Sequence, residues 1–87
     1  MKVKFTPEGE NDLRKLDNLI QKRVIDKIHW LDKNFSRIIP ESLSNVWKDY
    51  FKLRVGNWRI IYQVEHKVNL IVIYRIELRD KVYKNRN

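Results

Sequence analysis

The chain has 87 residues, no cysteine and a net charge of +8. This length predicts a single domain over residues 1–87, and the lack of cysteine excludes disulfides, thiolate metal sites and a cysteine nucleophile. The charge is uneven, with a net +2 over residues 1–46 and +6 over residues 47–87. A basic surface of this kind favours a polyanion, most often nucleic acid, or an acidic protein.

The N-terminal residues, MKVKFTPEGE, lack the apolar core of a signal peptide. No apolar run approaches the roughly 20 residues that a helix needs to span a bilayer. We therefore expect a cytoplasmic protein.

The first half of the chain predicts a short strand followed by two helices. Apolar and polar residues alternate in VKFT, as is typical of a strand. Thr6 followed by Pro7 is typical of a helix start. Leu13, Leu16 and Ile20 follow at helical spacing and form one apolar face. A second helix is predicted over QKRVIDKIHWLDKNF, because apolar residues recur there at spacings of four, three and four. These residues are Val24, Ile28, Leu31 and Phe35.

From residue 46 the pattern changes to β-branched and aromatic runs, VWKDYFKLR, WRIIYQVE and NLIVIYRIE. Gly56 and Asn57 separate the first two runs and suit a tight hairpin turn, and residues 66–69 separate the second and third. The sequence thus predicts an α+β fold of order β-α-α-β-β-β. In it an antiparallel sheet carries two helices packed on one face.

Alternation along the strands separates an apolar face from a mixed face. We expect the apolar face to lie under the helices. In the third run of the meander this face would hold Leu70, Val72, Tyr74 and Ile76. The mixed, open face would collect Lys52, Arg54, Arg59, Gln63 and Arg75, with Tyr50 and Tyr83 at its margin.

The residues available for chemistry on this surface are cations and tyrosines. The chain has only two histidines, His29 and His66, and only two glycines, so we predict no metal site, no Gly-rich phosphate loop and no small-molecule cofactor. RNA can be cut without metal when a protein removes the 2′-hydroxyl proton, protonates the leaving oxygen and stabilises the phosphorane. Lys, Arg and Tyr can do this work, but the same cluster equally suits simple phosphate binding.

The run FKLRVGNWRIIYQV, the later LIVIYRIELR and a terminal VY together resemble the RelE/ParE family of bacterial toxins. The resemblance covers the whole chain, and the segment from Lys52 to Val64 carries most of it. It implies a RelE-like fold and a toxin of a type II toxin–antitoxin system with a cognate antitoxin protein as partner. RelE-type members are ribosome-dependent endoribonucleases that cut mRNA and inhibit translation.

By position, the resemblance implies that Lys52 is a base or phosphate stabiliser, Arg59 a phosphate clamp, and Tyr83 a group that stacks on a base or assists proton transfer. It further implies RNA or phosphate binding by a set of basic residues. These are Arg54, Arg75, Arg79 and Lys81.

Three positions depart from the family pattern. Tyr50 stands where the first of two family lysines falls, Glu77 where a basic residue is expected, and Leu78 where many relatives have histidine. These departures leave open the ParE branch, whose members poison DNA gyrase and do not cut RNA. A nucleic-acid-binding module without toxicity is a third alternative.

Overall fold

The computed structural model describes residues 2–35, 41–42 and 50–78, with only the backbone described at 41–42. Its elements follow the predicted order, with one additional two-residue strand. They are β1 (Lys2–Phe5), α1 (Pro7–Arg14), α2 (Asn18–Asn34), β2 (Glu41–Ser42), β3 (Phe51–Val55), β4 (Trp58–Glu65) and β5 (Leu70–Leu78). The described residues contain no helix that is long and apolar enough to cross a membrane.

Side-chain caps fix where the two helices begin. The Thr6 hydroxyl accepts a hydrogen bond from the Gly9 N–H at 3.0 Å, which confirms the predicted start of α1. Asp17 caps α2 in the same way, by accepting from the Ile20 N–H at 3.0 Å. Residues Val24, Ile28 and Leu31 of α2 are buried, which confirms the predicted apolar stripe.

The sheet has the strand order β1-β5-β4-β3-β2. The strands β3, β4 and β5 form the predicted antiparallel meander. Gly56 has a φ of +59° in the turn between β3 and β4, a conformation that glycine adopts without strain. Strand β1 pairs with β5 in parallel, so the whole sheet is mixed.

A β-bulge interrupts the pairing of β4 with β5. Ile61 pairs with Arg75, but its neighbour Tyr62 pairs with Ile73. Tyr74 is therefore the extra residue on β5. Because a bulge shifts the alternation by one position, the side chains of β5 change faces at this point.

The core shows the consequence of this shift. Ile71 and Ile73 are fully buried in the core cluster with Tyr62 and the α2 residues, and Ile76 joins them beyond the bulge. The prediction that Leu70, Val72 and Tyr74 face the helices is therefore wrong, whereas the prediction for Ile76 is confirmed.

Helix α1 covers the outer edge of β5 beyond the end of β1. The pairing of β1 with β5 stops at Phe5 and Ile73. Beyond it, the Asp12 carboxylate accepts a hydrogen bond from the Ile76 N–H at 3.0 Å, and the Thr6 hydroxyl donates to the Tyr74 carbonyl at 3.0 Å. These contacts satisfy backbone groups that the end of β1 leaves unpaired. They also fix α1 against the sheet.

Candidate nucleic-acid interface

Three cations lie on the sheet face that is turned away from the core cluster, which we call the open face. Leu53, Val55 and Ile60 pack against or within the core cluster. Strand alternation therefore places Lys52, Arg54 and Arg59 on the opposite side. Arg54 is exposed, whereas Lys52 and Arg59 are half-buried. The prediction that the β3–β4 hairpin presents these three cations on one face is confirmed.

The register brings two of these cations side by side. Arg54 and Arg59 are direct cross-strand partners, and Lys52 pairs with Ile61 in the neighbouring row. Like charges directly opposite each other destabilise a sheet. An anion bound between the two guanidinium groups would remove that repulsion, and phosphate suits the fork geometry of arginine.

Glu77 lies on the other side of Arg59, as its direct partner on β5. The Arg59 Nη2 and Glu77 Oε2 atoms are 3.6 Å apart, and the two side chains are 16% and 29% exposed. This distance is too long for a hydrogen bond. The Arg59 Nε is buried and has no hydrogen-bond partner among the described residues. Glu77 therefore offsets part of the charge of Arg59 without accepting a hydrogen bond from its Nη2.

Arg75, a predicted phosphate-binding residue, is held away from the other cations. Its Nε donates to the Asp12 carboxylate at 2.7 Å, at the outer edge of β5. This hydrogen bond to the Asp12 carboxylate raises the pKa of Arg75, so the guanidinium stays charged. Its exposed position leaves it accessible to solvent, but the structure does not bring it to Arg54 and Arg59.

Tyr74 is a residue of the open face that the alternation did not predict. Its ring meets the Tyr50 ring edge to face, with the centroids 4.8 Å apart. Ile61 lies between β3 and β5 on the same face and is 8% exposed. The bulge leaves no signature in residue type, so periodicity alone could not show that Tyr74 and Ile76 lie on opposite faces.

The remaining predicted site residues, Arg79, Lys81 and Tyr83, lie outside the described residues. Their roles stay predictions. Within residues 2–35 and 50–78, the His, Asp and Glu side chains form no group of three that could hold a metal ion.

Comparison with solved structures shows the same fold in known toxins. A chain of the toxin–antitoxin complex RelBE2 from Mycobacterium tuberculosis superposes with a TM-score of 0.79 and 26% identity, covering 90% of each chain. The isolated RelE toxin from Escherichia coli gives a TM-score of 0.75 over 98% of this chain and 93% of its own, at 18% identity.

Sequence comparisons give one plant relative and a family. The chain is 29% identical over 75 residues to F-box only protein 7 from Arabidopsis thaliana. That match covers 86% of this chain, but the chain spans only 19% of the plant protein. Residues 3–83 match the family described as ParE toxin of type II toxin-antitoxin system, parDE. Because this match covers nearly the whole chain, the protein belongs to the ParE toxins of type II toxin–antitoxin systems, within the wider RelE/ParE group.

Proposed function

We propose that this toxin is a ribosome-dependent endoribonuclease that cleaves mRNA and thereby inhibits translation. The observation that carries the proposal is the open face of the β3–β4 hairpin, where Lys52 lies next to the directly paired Arg54 and Arg59. The resemblance of the segment containing these residues to RelE-type nucleases supports the same reading.

The proposed reaction needs no group beyond the protein and the RNA. The 2′-oxygen of the RNA attacks the adjacent phosphorus, and the bond from phosphorus to the 5′-oxygen breaks. Lys52 would accept the 2′-hydroxyl proton or else stabilise the phosphate. Arg59 would hold the equatorial oxygens as negative charge develops. Tyr83, by the resemblance, would stack on a base or pass a proton to the leaving 5′-oxygen.

The ribosome's part in this proposal is to position the substrate. Glu77 on β5 offsets part of the charge of Arg59, and Arg75 donates a hydrogen bond to Asp12. Free protein should therefore hold an RNA phosphate loosely. Placement of the mRNA by the ribosome would supply the missing alignment, since correct geometry alone contributes several powers of ten to a rate.

An antitoxin is the proposed inhibitory partner. The chain carries a net charge of +8, most of it in residues 47–87. An acidic or amphipathic antitoxin would neutralise the open face and occlude it. The similar RelBE2 structure is itself a toxin–antitoxin complex.

A second candidate function is the trapping of DNA gyrase without RNA cleavage. The pairing of Arg59 with Glu77 favours it, because a carboxylate beside the phosphate clamp repels RNA. The match to the ParE family is consistent with it as well. A nucleic-acid-binding module without toxicity is the remaining alternative.

Primer extension on a reporter mRNA after induction of the toxin separates these functions. We expect new 5′ ends within the coding region, arrested growth and intact chromosomal DNA. Double-strand DNA breaks with intact mRNA would instead identify a gyrase poison. Normal growth on induction would contradict both and indicate a binding module.

Glu77→Gln is expected to tighten binding of the purified toxin to a short single-stranded RNA by roughly two- to fivefold, the worth of one partly exposed ion pair. It should also steepen the dependence of log affinity on log salt by about 0.7, because Arg59 gains a phosphate contact. Fluorescence anisotropy of a labelled oligonucleotide measures both. Asp26→Asn, at an exposed position of α2, is the matched control because it changes the net charge equally. Equal effects of the two variants would show that Glu77 does not restrain Arg59.

A further inference from the structure

Tyr74 carries an aromatic ring on the open face, at the position of the bulge in β5. Tyr74 is the extra residue opposite Ile61, and Ile71 and Ile73 before it point into the core. Because Ile73 is buried in the core, strand alternation places its neighbour Tyr74 on the open face.

Tyr50 meets Tyr74 from the other side of β4. Phe51 packs against the core cluster, so its neighbour Tyr50 lies on the open face. The rings are 4.8 Å apart with an interplanar angle of 82°. A hydrogen bond between the two hydroxyls raises the pKa of Tyr74, and burial adds to the effect. The two side chains are therefore joined by their hydroxyls as well as by the ring contact.

This tyrosine pair adjoins the cations of the open face. Tyr50 precedes Lys52 by two positions on the same side of β3, and Lys52 and Tyr74 flank Ile61 from opposite strands. In an edge-to-face pair, one ring presents its edge, so its partner covers neither of its faces. Both rings are half-buried and so keep accessible surface.

We propose that the Tyr50–Tyr74 pair is a stacking site for a nucleobase of a single-stranded RNA whose phosphates contact Lys52, Arg54 and Arg59. This inference rests on the proposed function. It concerns the bases of the RNA, whereas the cations contact its phosphates. Single-stranded nucleic acid is typically bound by a basic track beside aromatic rings. A duplex would present its stacked bases edge-on and could not use the rings.

The test compares two strands of equal length and charge, an oligouridylate and the same backbone with abasic residues, by fluorescence anisotropy on the purified full chain. The wild type should bind the base-bearing strand about tenfold more tightly, the usual worth of one stacked base. Tyr74→Leu and Tyr50→Leu should each abolish this preference and leave affinity for the abasic strand unchanged. Tyr74→Phe, which keeps the ring, should retain it.

Trp30→Leu is the control for loss of an exposed aromatic ring elsewhere, because Trp30 lies on α2 and is 40% exposed. It should leave the preference intact. A wild type that binds both strands equally, or neither, overturns the proposal, as does a Tyr74→Leu variant that still prefers bases. A variant that loses affinity for both strands in parallel indicates a structural role and also overturns it. Failure of the proposed function would show separately, as intact mRNA in induced cells.

Discussion

Arg59→Gln is expected to relieve growth arrest and lower mRNA cleavage by roughly 10²- to 10³-fold, the effect of removing one charge-stabilising donor from a transition state. Glu77 lies directly across from Arg59, with the Arg59 Nη2 and Glu77 Oε2 atoms 3.6 Å apart. The buried Nε of Arg59 has no hydrogen-bond partner among the described residues. A phosphate would therefore bind the terminal Nη groups of the guanidinium. Quantitative primer extension after matched induction measures the loss.

Arg14→Gln is the control for Arg59→Gln. Arg14 is an exposed arginine of α1 that pairs with Glu10, and its loss changes the net charge by the same amount. It should leave toxicity and cleavage unchanged. Lys52→Ala and Tyr83→Phe are expected to reduce cleavage alongside Arg59→Gln. Full toxicity in all three, with expression and folding intact, would show that the cleavage site lies elsewhere.

Much of the open face could be predicted because one hairpin defines it. In β3 and β4 the strand period of two runs without interruption, and Gly56 and Asn57 fix the register through a two-residue turn. Lys52 and Arg59 therefore had to lie on the side away from Leu53 and Ile60. The register of a hairpin is determined by residues that are close together in the sequence.

Strand β5 could not be predicted in the same way. The residues at positions 71–74 are all apolar or aromatic. Either the odd-numbered or the even-numbered residues could therefore face the core. The bulge decides between them, and the contacts that stabilise it lie far away in sequence. Thr6, for example, donates to the Tyr74 carbonyl. A pattern read along one strand does not contain that information.

The pairing of Arg75 with Asp12 is a second feature that the periodicity of the sequence could not predict. The two residues are separated by 63 positions. In the sequence, Arg75 and Arg54 look alike, because each is a cation in a predicted strand. In the structure, Arg75 differs because it donates a hydrogen bond to a carboxylate on α1. The parallel pairing of β1 with β5 creates this difference, since it brings α1 to the outer edge of β5.

Gly9→Ala is expected to destabilise the toxin by about 2 kcal/mol, within the range for overpacking a tight contact. An ideal Cβ at position 9 would lie 2.5 Å from the Ile73 carbonyl oxygen and 3.2 Å from that of Tyr74. These are backbone atoms of β5, so neither can rotate out of the way. The gain in helix propensity on replacing glycine, about 1 kcal/mol, opposes the effect but does not exceed it. For a domain of this size the midpoint of thermal unfolding should fall by roughly 8–16 °C.

Asn11→Ala provides the control for Gly9→Ala, because Asn11 is exposed on the same helix and the change adds helix propensity without adding a contact. It should leave the midpoint unchanged or raise it slightly, as followed by circular dichroism on the purified toxin. If Gly9→Ala behaved like Asn11→Ala, α1 could not approach the backbone of β5 as closely as the structure shows. The same result would count against the contacts of Thr6 and Asp12 with β5, which flank the bulge at Tyr74.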